Sequence, residues 1–388
     1  MTMVPAGAGR ARFDIGEIVR THRAQLEAQH RLTREQKRVL TDIGQCRTAA
    51  LGGHVDHCPS CGYEHPSYNS CRNRHCPKCQ ALAQEKWIEQ RRERLLDVGH
   101  FHVVFTLPAE LRFLAKLAPR EVFEALFHAA SLTLLELGKS ELGVMLGATL
   151  VLHTWTRELS FHPHVHAIVT AGGLALDGKS FRHGDPKFLF HVKRMGLLLR
   201  GKVLAALSEA YAAGAFAHVP AFDDPAGFGR LIAKVAKLSW NVYAKEPFDT
   251  SSHVVAYLGR YTHRVGIANS RLLDVTPDRV VFRTRGDKTA TLSPVDFLWR
   301  FVQHVLPDGF RKVRHIGLYA SPKLAVARER LGMSPPTPAP KRTWEQKLLE
   351  LTGRDVRLCP RCLAPLRSSV LPRDVLHNER APPLANAA

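Results

Sequence analysis

Apolar residues recur at helical spacing over residues 14–44. Ile15, Ile18, Val19, His22, Leu26, Leu32, Val39 and Leu40 mark one face there among many charges, and this predicts helix. Residues 81–98 repeat the pattern through Leu82, Trp87, Ile88, Leu95 and Leu96. Residues 100–108 read as a strand ended by Pro108. Pro119, suited to a first-turn position, opens a helix over 119–137. Residues 147–155 and 161–170 read as two more strands, the second closed by Gly172-Gly173. Helices are expected over 196–214, 226–243 and 251–264, the last capped by Ser251 or Ser252. Residues 271–275 and 279–285 alternate like a hairpin about Pro277-Asp278, and 293–305 return to helix. The proline-rich stretch 334–340 reads as a stiff linker, a short amphipathic helix follows, and the last dozen residues read as disordered. The whole is mixed α and β, with few strands and helices between them.

Charge narrows the partner. The 388 residues carry 55 Lys and Arg against 35 Asp and Glu, a net +20 with His neutral, which favours a polyanion. A hydrophobic fraction of 45% excludes a disordered polybasic tail. No apolar run approaches the roughly 18 residues of a membrane span. The N-terminal residues show no apolar signal segment, so a cytoplasmic protein with no membrane partner is expected.

The eight cysteines are placed unevenly. Cys58-Pro-Ser-Cys61 and Cys76-Pro-Lys-Cys79 are hairpins separated by fourteen residues, and two such pairs can close a tetrahedral Zn²⁺ site. Gly62 and the prolines suit the tight turns this needs. Cys71 and His75 could join a second zinc site with His54 and His57, or be one packed thiol and surface histidines. The Cys359-Pro-Arg-Cys362 knuckle has no second pair after it. A zinc there would recruit His377, a partner from the N-terminal cluster or another subunit; otherwise the pair is unmetallated. Cys46 reads as a packed core thiol. Arg72 and Arg74, with Tyr68, stand on the loop between the hairpins and can contact phosphates and bases. Arg91, Arg92 and Arg94 follow on the next helix.

The segment Phe161-His162-Pro163-His164-Val165-His166 carries the sharpest chemistry. On a strand His162, His164 and His166 share one face, while Pro163, Val165 and Ala167 share the other. The apolar face can pack on helices and leave the imidazoles in an open cleft, where they can converge on a divalent cation. Farther on, Tyr257 and Tyr261 are four apart on a helix and so share a face. Arg260 and Arg264 add positive charge beside them. A tyrosine is a usable nucleophile when a metal polarises a phosphoryl oxygen.

Jointly these residues resemble the IS91-family transposases of the HUH superfamily. His164-Val165-His166 matches the HUH motif, Tyr257 and Tyr261 match the paired tyrosines of its Y2 branch, and GGHVDHCPSCG…YNSCRNRHCPKCQ resembles the family's zinc-binding region. The resemblance runs from about residue 15 to 320. It implies an α+β, HUH-type nuclease domain with an antiparallel sheet and flanking helices, preceded by a helical and zinc-ribbon module. Residues 1–98 would be the zinc-binding domain, 99–331 the nuclease, 332–342 the linker and 343–388 a tail carrying the last knuckle.

The resemblance further implies rolling-circle-type cleavage and transfer of single-stranded DNA at mobile-element ends, through a 5′-phosphotyrosine, in a bacterial, nucleoid-associated protein. Tyr257 and Tyr261 would be the nucleophiles. His164 and His166 would hold catalytic Mg²⁺ or Mn²⁺, with Zn²⁺ purely structural. The motif leaves the third ligand open: His162 is on the same strand face, and His102 and His153 lie on neighbouring strands. Arg72, Arg74, Arg91, Arg92, Arg94, Arg260 and Arg264 would track DNA. The competing readings are a rolling-circle replication initiator and a non-catalytic zinc-dependent DNA-binding protein. An amidohydrolase-type hydrolase needs about 250 residues of regular βα repeats, and too little such chain follows residue 164.

Overall fold

The computed structural model describes residues 12–248, 266–335 and 342–374, with Val254 and Gly259. Residues 14–44 are helical, as two helices. Helix α1 (Ile15–Gln29) is capped by Asp14, whose carboxylate accepts from the Gly16 N–H. Helix α2 (Arg34–Gln45) opens on a capping box in which Thr33 and Gln36 satisfy each other's backbone N–H. The Thr-x-x-Gln signature starts a new helix, and periodicity alone runs through that break. Strands β1 (Gly53–His57) and β2 (Glu64–Tyr68) pair as a hairpin. Helix α3 (Ala81–Arg92) ends before the expected residue 98, because Leu95 and Leu96 turn inward and are buried.

The large sheet starts with β3 (His100–Thr106), followed by helices α4 (Arg112–Leu117) and α5 (Pro119–Glu141). Strands β4 (Val144–Trp155), β5 (Phe161–Ala175) and β6 (Phe181–His183) come next, then helices α6 (Val192–Ala212) and α7 (Pro225–Ala236). Gly172-Gly173 do not end β5. A Cβ on Gly172 would stand 2.2 Å from the Arg182 carbonyl and one on Gly173 2.3 Å from that of Met145, so the glycines let flanking strands approach while β5 continues. The helix expected over 226–243 stops at Ala236, and β7 (Val242–Phe248) takes its place.

A separate three-stranded sheet comprises β8 (Leu272–Val275), β9 (Val280–Arg283) and β10 (Thr289–Leu292). Its first two strands are the expected hairpin, and α8 (Pro294–Val302) follows with Ser293 as cap. Strand β11 (Val313–Gly317) returns to the large sheet, and helices α9 (Lys323–Arg330) and α10 (Trp344–Thr352) precede β12 (Arg367–Leu371).

The large sheet runs β11-β4-β5-β3-β7, with β6 also pairing β5, and every pair is antiparallel. The histidine strand is therefore central. Its apolar face, with Val103, Phe105, Leu150, Leu152, Val165 and Ala167, is buried against α5 and α6 in the main core. Strand β12 is no free tail: it pairs along the whole of β1. Among the described residues no helix is long and apolar enough to cross a membrane. The segment 251–264, apart from Val254 and Gly259, and the last fourteen residues lie outside the described residues.

Candidate active site and cysteine clusters

Register assembles the histidines. In the β4–β5 ladder His153 stands opposite His164, and Val151 opposite His166. Residues paired across an antiparallel ladder share a face, so His153 joins the two histidines of β5. The ligand atoms of His153, His164 and His166 all lie within 4.8 Å of one another. The ring centroids are 5.6 Å apart for His153–His164, 4.5 Å for His153–His166 and 4.8 Å for His164–His166.

Neighbouring groups orient these rings. His164 Nδ1–H donates to the His162 carbonyl at 2.6 Å, which leaves Nε2 with its lone pair. His166 Nδ1 shares a hydrogen bond of 2.8 Å with His102 Nε2. Burial pushes His164 down to about 4. Burial, and then His164, His102 and Lys312, hold His166 well below the usual histidine range. Both are thus neutral at physiological pH and able to ligate a cation.

The tentative third ligand, His162, is not in this group. Its Nδ1 accepts from Arg112 Nη2 at 2.7 Å, and the third imidazole is instead His153. Three imidazoles suit a divalent transition metal, and Mg²⁺ is usable when water or carboxylate oxygen completes the shell.

The cysteines divide differently from the expected pairing. Cys76 and Cys79 do not meet Cys58 and Cys61. They sit with Cys46 and Cys71, and all four Sγ lie within 4.8 Å. Cys46 Sγ is 3.3 Å from Cys79 Sγ and 3.6 Å from Cys76 Sγ, and the Cys71 N–H donates to Cys46 at 3.5 Å. A Zn²⁺ with four bonds of 2.3 Å needs sulfurs about 3.8 Å apart, so the donor set fits Zn²⁺. Hydrogen bonds from Cys46, Cys71 and Cys76 draw the Cys79 thiol far below its ordinary value. Cys46 is therefore no mere packed thiol: it sits at the end of α2, where the chain turns toward the cluster. Cys58 and Cys61 instead face Cys359 and Cys362.

His75 is not a zinc ligand. Its Nε2 accepts from the Leu306 N–H at 3.1 Å and its Nδ1–H donates to Asn73 Oδ1 at 3.1 Å. His54 and His57 lie on β1 beside Asp56 and Glu64.

The arginines also sort by geometry. Arg74 donates to the carbonyls of Leu306, Pro307 and Phe310 and so clamps that loop. Arg72 and Arg92 are exposed. Arg91 and Arg94 line a cleft of about 670 Å³ with Arg120, Arg311, Arg314 and His315. Arg91 Nη1 donates to His315 Nε2 at 2.8 Å, and Arg314 pairs with Glu124. His315 is on β11, opposite Thr149 and on the histidine face of the sheet. Arg120, Arg311 and Arg314 were not singled out from sequence because they are scattered along the chain and converge only where β11 forms the sheet edge.

Tyr257, Tyr261, Arg260 and Arg264 lie outside the described residues. The two described positions of that segment bracket Tyr257 in sequence. Val254 is buried in one cluster with Val151 and Ile168 on the histidine side of the sheet. A Cβ on Gly259 would stand 2.3 Å from Ile88 Cδ1 of α3.

A family described as "Putative transposase" matches residues 147–325, and one described as "Transposase zinc-binding domain" matches residues 18–107. The "Putative transposase y4qJ" of Sinorhizobium fredii is 41% identical over 369 residues, covering 90% of this chain and 92% of its own length. The "Transposase for insertion sequence element IS801" of Pseudomonas savastanoi pv. phaseolicola is 32% identical over 314 residues, covering 78% of this chain and 75% of its own. No solved structure matches.

Proposed function

This chain belongs to the IS91-family transposases, and we propose that it cuts and rejoins single DNA strands at mobile-element ends by rolling-circle-type transfer through a covalent tyrosine intermediate. A transposase acts on DNA as a DNA-cleaving enzyme, and its zinc is structural. The observation that carries the finer reading is the group His153, His164 and His166, gathered on one face of the sheet.

In this reading the phenol of Tyr257 or Tyr261 loses its proton and attacks a backbone phosphorus. The bond from phosphorus to the 3′ oxygen breaks, and that oxygen leaves as a 3′-OH. The 5′ phosphate stays on the tyrosine, so strand joining needs no ATP; the stretch Gly173–Ser180 matches the P-loop spacing but lies in the β5–β6 hairpin and opens no helix. The other tyrosine serves the later cleavage or transfer. Mg²⁺ or Mn²⁺ held by the three imidazoles would stabilise charge on the phosphoryl oxygens. His102 and the His162 carbonyl hold two of those imidazoles in place. The arginine cleft along β11 gives the DNA backbone an approach along the same sheet.

The test is a denaturing gel with labelled single-stranded element ends and Mg²⁺ or Mn²⁺. The protein should acquire a covalent oligonucleotide adduct, and a chain carrying both Tyr257→Phe and Tyr261→Phe should acquire none. DNA binding without an adduct on any end sequence would leave the non-catalytic reading.

A further inference from the structure

The matched zinc-binding region ends at residue 107, and Cys359 and Cys362 lie far beyond it. We propose that Cys58, Cys61, Cys359 and Cys362 bind a second Zn²⁺ of their own, so that the C-terminal segment is an integral half of the N-terminal zinc module. The four ligand atoms lie within 4.8 Å of one another. Cys58 Sγ is 3.5 Å from Cys362 Sγ, and Cys61 Sγ is 3.6 Å from Cys359 Sγ. These distances are near the roughly 3.8 Å of a tetrahedral thiolate site and far beyond the S–S bond of about 2 Å in a disulfide.

The two knuckles have the same backbone construction. The Cys58 N–H donates to the Tyr63 carbonyl at 2.8 Å, and the Gly62 N–H to the Cys58 carbonyl at 3.0 Å. In the second, the Cys359 N–H donates to the Ala364 carbonyl at 2.8 Å, and the Leu363 N–H to the Cys359 carbonyl at 3.0 Å. Each closes on a left-handed residue, Gly62 at φ 68° and Leu363 at φ 61°. A leucine tolerates that conformation only where the surroundings demand it. Two matching Cys-Pro-x-Cys knuckles facing each other form a closed site, which is a structural zinc arrangement.

Strand pairing supports the same assembly independently of the thiols. All five residues of β12 pair with β1, from Gly53↔Leu371 to His57↔Arg367. The Arg361 guanidinium lies 5.3 Å over the Tyr63 ring, across the two knuckles. The hairpin β1–β2 is thereby held by one cluster at its turn and by the Cys46 cluster near its base. The second site can form only once the intervening chain has been made and folded, so it ties the two ends of the polypeptide together.

This proposal does not depend on the DNA chemistry. Zinc released from the purified full-length protein by a thiol-specific mercurial should amount to two ions per chain. A full-length Cys359→Ser/Cys362→Ser variant should retain one, and trypsin should then cut at Arg354, Arg357 or Arg361 at least tenfold faster. Cobalt substitution covers the chance that this variant does not fold: wild-type protein should show thiolate charge-transfer absorbance for eight sulfurs, in two equivalents. One metal per wild-type chain, or two retained in the variant, would overturn the proposal.

Discussion

His153 on β4 stands directly across from His164 on β5, and this cross-strand pairing completes the imidazole cluster. Spacing along β5 alone would have chosen His162, which Arg112 instead engages. His153→Ala should therefore reduce metal-dependent strand cleavage at least about 100-fold, as should His164→Ala and His166→Ala. His162→Ala should retain most of the activity. The check is nicking of a single-stranded oligonucleotide across a Mn²⁺ titration, and equal losses in His162→Ala and His153→Ala would refute this choice of third ligand.

His102 hydrogen-bonds His166 and is not itself one of the three clustered imidazoles. Partners of that kind typically contribute 10–100-fold to metal affinity. The expected phenotype of His102→Ala is a Mn²⁺ requirement raised by about that factor, with cleavage recovering at high metal. Loss of activity that no Mn²⁺ concentration restores would give His102 a different role.

How much of this was readable beforehand depended on whether the information was local. The alternation through His162, His164 and His166 placed β5 correctly, since face alternation is a property of one strand. The identity of the third histidine is a matter of register between strands, which that pattern does not contain. The same holds for the thiols. Hairpin spacing identified Cys58, Cys61, Cys76 and Cys79 as ligand types, but nearness in sequence suggested that they closed on each other. Cys71, offered to a second site with His75, and Cys46, read as a packed thiol, together with Cys359 and Cys362 make up the two sets of four. Strand β12 is not legible in the sequence because Arg367-Ser-Ser-Val-Leu371 has little apolar alternation, whereas its pairing with β1 is a long-range contact.

Arg74 and Arg94 should separate fold from DNA contact. Arg74 holds three carbonyls of the 306–310 loop, so Arg74→Ala should lower stability by about 2 kcal/mol, seen as a lower denaturant midpoint. Arg311→Ala should leave stability unchanged, Arg94→Ala should lose only its bond to the Tyr319 carbonyl, and both should weaken DNA binding uniformly across sequences. Each should reduce the slope of log affinity against log salt by about 1. An unchanged salt slope in both would exclude the β11 cleft as a phosphate track.

His304 gives the fold a dependence on pH. It is fully buried, with Nε2–H donating to the Leu159 carbonyl and Nδ1 accepting from Thr154 Oγ1. Burial pushes it down to about 4, against a backbone hydrogen bond that raises it. The unfolded chain binds this proton below about pH 6.5 and the folded chain only near 4. Its contribution is thus complete above about pH 6.5 and falls as the pH drops toward 4, by up to about 3 kcal/mol. Urea unfolding between pH 7 and 5 should show the loss, and His304→Phe should make the dependence shallower. An identical slope in that variant would assign the acid sensitivity elsewhere.

Leu363 carries a positive φ of 61° and is 72% exposed, so its side chain contributes little packing to offset the strain. The matching position in the first knuckle is Gly62, at φ 68°. Leu363→Gly should relieve about 1 kcal/mol of backbone strain, less the greater freedom that glycine gives the unfolded chain. Zinc should consequently leave the Cys58–Cys362 site more slowly under a competing chelator. Gly62→Leu imposes the opposite change and should speed release. The measurement is the chelator-driven rate of loss of the second zinc equivalent, and faster loss in Leu363→Gly would show that the leucine makes contacts worth more than its strain.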